Sequence, residues 1–341
     1  MLTILQVAYS LAAVGPDVAG GAEQVLAELD RAVFMAGHHS IVVACAGSRV
    51  HGTLVETPRA SGPITDAVHG AACAAQARAI AAVLERWPVD VVHLHGVDFH
   101  RYLPEPGVSV LATLHLPPDW YPAEALSPTR PRTHLNCVSA SQRRACPPGV
   151  PVVDTIVNGV RFERFAPATR RRDFVLALGR ICPEKGYHLA LDAARRAHVA
   201  MILAGEVFGY EAHERYFRDE IAPRLSFTRR FVGGVGRAGK RRLLGAARCL
   251  LVPSLVPETS SLVAMEALAS GTPVVAFPAG ALAEIVDDGV TGFLVRDERE
   301  MADAIDATRA LDAEACRTAA RERYSADRMA RRYLEAYDWL A

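Results

Sequence analysis

No stretch of this sequence approaches the run of about eighteen apolar residues that a bilayer-crossing helix needs. Cys-x-x-Cys is absent. The seven cysteines, Cys45, Cys73, Cys137, Cys146, Cys182, Cys249 and Cys316, are scattered and odd in number. That pattern argues for reduced thiols and against a disulfide framework or a zinc site. Asp-x-Asp is absent too, so no motif calls for a divalent cation. Neither sign of charge prevails: 38 lysines and arginines face 38 aspartates and glutamates, which gives no bulk argument for nucleic acid. Residues 1–10 lack the basic segment of a secretory leader, and a cytoplasmic location is the expectation.

What is present is an alternation of short apolar runs and helix-length segments over 341 residues, enough for two α/β domains with separate cores. Residues 2–7 predict a first buried parallel strand. The loop 9–21 closes on Gly20-Gly21-Ala22-Glu23, the start of a helix to about Met35. Glycines there admit a ligand or another chain to the backbone, and the helix start suits an anion; an ordinary turn accounts for the same residues. Residues 40–44 predict a strand and 64–86 an alanine-rich helix. Further strands are expected at 91–96, 108–114, 133–138 and 152–157. Ligands of doubly wound sheets sit beyond the carboxyl ends of strands, where His95 and His115 stand. His93 is assigned to packing, and strand alternation is taken to separate it from His95 and to disfavour a shared metal. Asn158-Gly159-Val160 and the polar, arginine-rich residues 161–173 suggest an interdomain linker.

A second alternating series starts with the strand 174–178, which runs into Gly179-Arg180-Ile181-Cys182-Pro183-Glu184-Lys185-Gly186. Two cations on a glycine-bounded loop suit a diphosphate, Arg180 as a fork and Lys185 as a point charge; a solvated loop is the plain alternative. Residues 200–204, ending in Gly205-Glu206, and 231–232 predict strands. Gly234-Val235-Gly236-Arg237-Ala238-Gly239 matches the dinucleotide G-x-G-x-x-G and raises a nicotinamide dehydrogenase as an alternative. Its preceding strand is short and polar, however, and residues 240–248 fit better as a solvated or phosphate-facing basic face. Residues 252–277 carry a strand–loop–helix–strand unit with Glu258 and Glu266 framing its turn and helix. Eight helical residues span about 12 Å and return within roughly 80° in azimuth, so the pair suits two parts of one long ligand. Thr259-Ser260-Ser261 opens on Leu262 at a helix N-terminus, which favours phosphate; a helix cap made by Thr259 or Ser260 is the plain alternative. Residues 289–295 give a turn and closing strand, and the aromatics and leucines of 326–340 predict packing.

In this order, Gly20-Gly21-Ala22-Glu23, residues 91–96, His115, Asn158-Gly159-Val160, the Gly179–Gly186 loop, the Glu258/Glu266 pair, Gly271-Thr272-Pro273-Val274-Val275 and residues 289–295 resemble the retaining glycosyltransferases of family 4 over nearly the whole chain. The resemblance implies the α/β GT-B fold, two Rossmann-like domains facing a central cleft. It assigns residues 1–162 to the acceptor, 163–325 to a nucleotide-diphosphate sugar (UDP favoured), and 326–341 to a helix packing back on the first domain. It also implies donor contacts from Gly20, Gly21, Arg180, Lys185, Gly205, Glu258, Thr259, Ser260, Ser261, Leu262 and Glu266. Arg180 and Lys185 would neutralise the diphosphate, Glu266 hold the ribose and Glu258 the sugar. Glu258, His115, Arg180 and Lys185 are the implied catalytic residues, with His95 and His115 on the acceptor side. No cofactor or metal is expected. The acceptor (small molecule, saccharide or lipid) and the oligomeric state stay open, and a non-catalytic nucleotide-sugar-binding protein is a further alternative. Thr259-Ser260-Ser261 stands where the family often has Gly-Phe-Gly, trading close backbone approach for hydroxyl donors.

Overall fold

The computed structural model describes residues 1–15, 18, 20–60, 62, 64–165 and 171–341. Parts of the expected loop 9–21 and of the expected linker 161–173 therefore lie outside the described residues. The chain forms two compact units: Met1–Asn158 with Ala326–Ala341, and Gly159–Ser325.

In the first unit β1 (Thr3–Val7), β2 (His39–Cys45), β3 (Thr53–Thr57), β4 (Val91–Leu94), β5 (Ser109–Leu114), β6 (Thr133–Cys137) and β7 (Val152–Thr155) make one parallel sheet. Its order is β3-β2-β1-β4-β5-β6-β7, reversing direction between β1 and β4. Strands β1, β4 and β5 are buried along their whole length, which is why their sequences run apolar instead of alternating. β3 is unannounced by sequence; it is an edge strand with Thr53 and Glu56 exposed. The helix Asp66–Arg86 is capped by Thr65, whose side chain accepts from the Val68 amide. Against the expectation that no stretch approaches a bilayer-crossing run, it is long and apolar enough, by length and composition, to cross a membrane. It buries Cys73, Gln76, Ile80 and Val83 against its own unit.

The helix Ala326–Leu340 belongs to this first unit. Met329, Tyr333, Tyr337 and Leu340 form its buried stripe at helical spacing. The two tyrosines also hydrogen-bond to the sheet. Tyr337 Oη lies 2.7 Å from His93 Nδ1, and Thr113 Oγ1 lies 3.1 Å from Tyr333 Oη. The Asn136 side-chain amide donates to Tyr333 Oη at 3.1 Å, while Ser109 Oγ donates to the Leu340 carbonyl at 2.6 Å. His93 from β4, Ser109 and Thr113 from β5 and Asn136 from β6 thus meet the helix, each bond contributing about 1 kcal/mol.

In the second unit β8 (Phe174–Leu178), β9 (Ala200–Ala204), β10 (Arg229–Phe231), β11 (Leu250–Val252), β12 (Val274–Ala276) and β13 (Gly292–Leu294) form a parallel sheet ordered β10-β9-β8-β11-β12-β13. Helices Tyr187–Arg196 and Glu298–Ala307 cover it, and Leu191, Ala194, Met301 and Ile305 pack with Val175, Leu203 and Leu251. The expected linker marks the unit boundary at its start, between Asn158 and Gly159, but its later described residues are no linker. Val160 bridges Ser325, Phe165 is buried, and the guanidiniums of Arg317 and Arg321 lie 4.4 and 4.8 Å from the Phe162 ring centroid. Aromatic burial turns these described residues into part of the second unit.

Candidate functional site

The second sheet reverses direction between β8 and β11, and the loops following those two strands meet. Gly186 sits at φ +61, and a Cβ there would lie 2.2 Å from the Pro253 carbonyl oxygen. Only glycine lets the two loops approach so closely. The Leu255 amide donates to the Glu184 carbonyl at 2.8 Å, completing the junction. Lys185 Nζ then reaches Glu258 Oε1 at 2.5 Å, and Ser254 Oγ donates to the same oxygen. Glu258 is fixed from the other side by backbone bonds, its amide to the Ala279 carbonyl and its carbonyl from the Ala281 amide. Arg180 is exposed on the same loop. Gly205, at φ +152, has a packing reason for being glycine: a Cβ would fall 1.8 Å from the Gly179 carbonyl oxygen.

The helix after this junction spans only Leu262–Ala269. The spacing drawn for eight helical residues between Glu258 and Glu266 therefore does not hold, because Glu258 to Ser261 precede the helix. Ser261 is the N-cap residue, but its side chain makes no capping bond. Ser260 Oγ is buried with no hydrogen-bond partner. The helix start thus keeps amide donors, with an orphaned hydroxyl beside it in sequence. Glu266, on the second turn, is 5% exposed and pairs with Lys240 at 2.5 Å. Burial raises its carboxyl above the usual range, with Lys240 pulling the other way.

Arg241 and Arg242 are exposed, as a solvated basic face requires, but Lys240 and Arg248 depart from that reading. Lys240 stands on helix Arg237–Ala246 and faces inward to Glu266; Arg248 is buried and lies 2.8 Å from Asp306. The G-x-G-x-x-G run follows β10, a three-residue edge strand, whereas a dinucleotide fingerprint follows a strand at the sheet's switch point. A nicotinamide site gains no support from that position.

In the first unit, β4 and β5 end at His95 and His115. His95 Nδ1 lies 3.0 Å from His115 Nε2 with the rings stacked at 18°. The His93 and His95 centroids are 3.9 Å apart. That overturns their assignment to opposite sides, since residues two apart on a strand share a face. His93 is engaged by Tyr337 and by Thr113 at 2.8 Å, as a packing residue. His95 Nε2 is buried without a partner. Burial holds His93 and His95 well below the ordinary imidazole pKa and His115 down to about 4, so all three are neutral near pH 7. The His115 and Leu116 amides donate to Tyr121 Oη, at 2.9 and 3.2 Å. Gln142 Nε2 holds the carbonyls of Leu114 and Leu116. Neither Tyr121 nor Gln142 carries any sequence signal for this role. At the helix Gly21–Met35, the Glu23 carboxylate fills the space beside Gly20, where a Cβ would lie 1.8 Å from it.

Residues 172–309 match the family model described as glycosyl transferases group 1. The D-inositol 3-phosphate glycosyltransferase of Mycolicibacterium paratuberculosis is 34% identical over 169 residues, covering 45% of this chain and 38% of that protein. The alignment thus spans about two fifths of that relative's length. Among solved structures, AviGT4, a glycosyltransferase involved in avilamycin A biosynthesis, superposes with a TM-score of 0.72 at 25% identity over 100% of this chain and 98% of its own. HepE of Anabaena, solved with UDP and glucose, gives 0.76 at 19% identity over 99% and 100%. The chain has the GT-B fold of two Rossmann-like units, and the match to the group 1 glycosyl transferase model lies within the second.

Proposed function

We propose that this chain moves a sugar from a nucleotide diphosphate sugar, UDP-linked by preference, to an acceptor hydroxyl, with retention at the anomeric carbon and without a metal. The meeting of Lys185 and Glu258 beside a helix start that lacks a side-chain cap carries the reading. Lys185 would exchange one carboxylate oxygen for the more highly charged diphosphate, freeing Glu258 to accept hydrogen bonds from the sugar. Arg180 reaches the same phosphates from the exposed loop, and the helix amides with the Ser260 hydroxyl supply donors fixed in place. Glu266 suits the ribose hydroxyls. Charge grows on the departing diphosphate as the glycosyl bond breaks, so these cations and amides act where charge develops. The acceptor attacks from the face the diphosphate leaves, and a phosphate oxygen takes its proton. Neutral His115 then serves as a hydrogen-bond partner near the sugar, with His95 behind it.

The group 1 domain and the AviGT4 likeness support glycosyl transfer, and UDP in HepE supports the base. The test is a thermal-shift screen of nucleotide sugars against NAD(P)H, followed by mass spectrometry with candidate acceptors. A UDP-sugar is expected to raise the melting temperature and to yield a glycosylated product. Stabilisation by NAD(P)H alone would overturn the proposal, and donor binding with neither transfer nor donor hydrolysis would reduce the chain to a sensor. EDTA is expected to leave turnover intact; a loss restored by Mn²⁺ would remove the metal-free clause.

A further inference from the structure

Two clusters of potential metal ligands occur among the described residues, and they differ in how far their lone pairs are already used. His69, Cys73 and Asp98 lie within 4.8 Å of one another. Asp98 there accepts from His69 at 2.8 Å, Ser10 at 3.0 Å, Cys73 at 3.3 Å and Tyr102 at 2.7 Å. The Arg101 guanidinium stands 3.2 Å from the other His69 nitrogen. A cation would have to displace all of these donors and sit beside a fixed positive charge. This cluster is a satisfied buried carboxylate.

Cys182, Glu184 and His213 also bring one ligand atom each within 4.8 Å of one another. Cys182 is buried, Glu184 sits in the turn Pro183–Lys185, and His213 is on the helix Glu211–Tyr216. The Cys182 thiol has only weak partners, the Glu184 carboxylate and the Arg180 carbonyl at 3.7 Å. His213 Nδ1 is buried with no hydrogen-bond partner, and the ring is held edge-on by Tyr210 at 5.1 Å. Thiolate, imidazole and carboxylate are the ligand types zinc takes, at bond lengths of about 2.0–2.3 Å. A tetrahedral ion places its ligands roughly 3–4 Å apart, so rotamer adjustment of about 1 Å closes the cluster. Two of the ligands are anionic when bound, which balances the charge of a divalent ion.

We propose that Cys182, Glu184 and His213 form a binding site for one zinc-class divalent ion, with its fourth position open to solvent. The ion fastens the loop after β8 to the helix Glu211–Tyr216. Cys182 and Glu184 share their loop with Arg180 and Lys185 but are not themselves assigned to the reaction, and metal binding is read independently of turnover.

The test titrates the reduced, EDTA-stripped full chain with Co²⁺, following the thiolate-to-metal charge-transfer absorption, and with Zn²⁺ by calorimetry and thermal melting. One ion per chain, a charge-transfer band and a Zn²⁺-dependent rise in melting temperature are expected. Cys182→Ser should abolish the band, and His213→Gln should weaken Zn²⁺ binding at least tenfold. Cys73→Ser should bind as the parent does. His213 is only partly buried, so its variant keeps the test valid if Cys182→Ser fails to fold. No band in the parent chain, a band that survives Cys182→Ser, or full Zn²⁺ affinity in His213→Gln would overturn the proposal.

Discussion

The two units wind their sheets in the same way, three strands outward from the centre and then back across it, yet they put opposite chemistry at the strand ends. The first follows β4 and β5 with neutral imidazoles, His95 buried and His115 half-buried, that bond to one another. The second ends β8 and β11 in paired opposite charges, Lys185 with Glu258, and sets Lys240 on Glu266 nearby. Topology therefore fixes where a site lies, and the electrostatics of a few side chains decide what it holds. Neutral donors and acceptors suit hydroxyls. Lysines that can leave a carboxylate for a phosphate suit an anion.

The largest expected break in this comparison comes from the charged unit. Lys185→Ala or Glu266→Ala should lower turnover by on the order of a hundredfold or more with the fold retained, read by kinetics alongside circular dichroism. Full activity in either variant would remove the assigned roles.

Acid should break the neutral unit next. A histidine whose folded pKa is depressed binds fewer protons folded than unfolded. Its contribution is therefore complete above the unfolded value near 6.5 and is lost as pH falls toward the folded one. For His115, shifted from 6.5 to about 4, the loss is at most about 3 kcal/mol, less what its solvent-facing edge loses to screening. His93 and His95 lose stability in the same direction. Denaturant melts between pH 7 and 4 should show the first unit failing first, and His95→Gln should flatten the profile. A profile unchanged by that variant would break the link to the histidines.

Lys240→Met should cost about 3 kcal/mol at pH 7 by leaving a buried carboxylate unpaired, with part of the loss recovered as falling pH protonates Glu266. Urea titrations at pH 7 and 5 measure both parts. The smallest effect belongs to the C-terminal helix. Tyr337→Phe should cost about 1 kcal/mol in the first unit and leave the second unchanged, as hydrogen exchange can resolve.

Much of the architecture was legible in the sequence because parallel strands buried on both faces advertise themselves. Phe174–Leu178 and Leu250–Val252 are unbroken apolar runs. β3 hid because an edge strand with exposed Thr53 and Glu56 needs no such run. The loop between β8 and the next helix was legible from its bounding glycines and cations. The partner of Glu266 was not: Lys240 lies 26 residues away on another helix, and no local period links the two. The error over Glu258 had a readable warning. Thr259, Ser260 and Ser261 compete for backbone bonds and favour turns and caps over a helix interior. His93 and His95 were separable only by a misapplied rule, since strand faces repeat every second residue.

The return of Ala326–Leu340 to the first unit also orders events in time. A chain emerging from the ribosome completes residues 159–325 before the helix that covers His93, Thr113 and Asn136 exists. The second unit can close on its own during synthesis, while the first waits with polar groups of three central strands uncovered. Its final locking falls to a helix made only after the whole second unit.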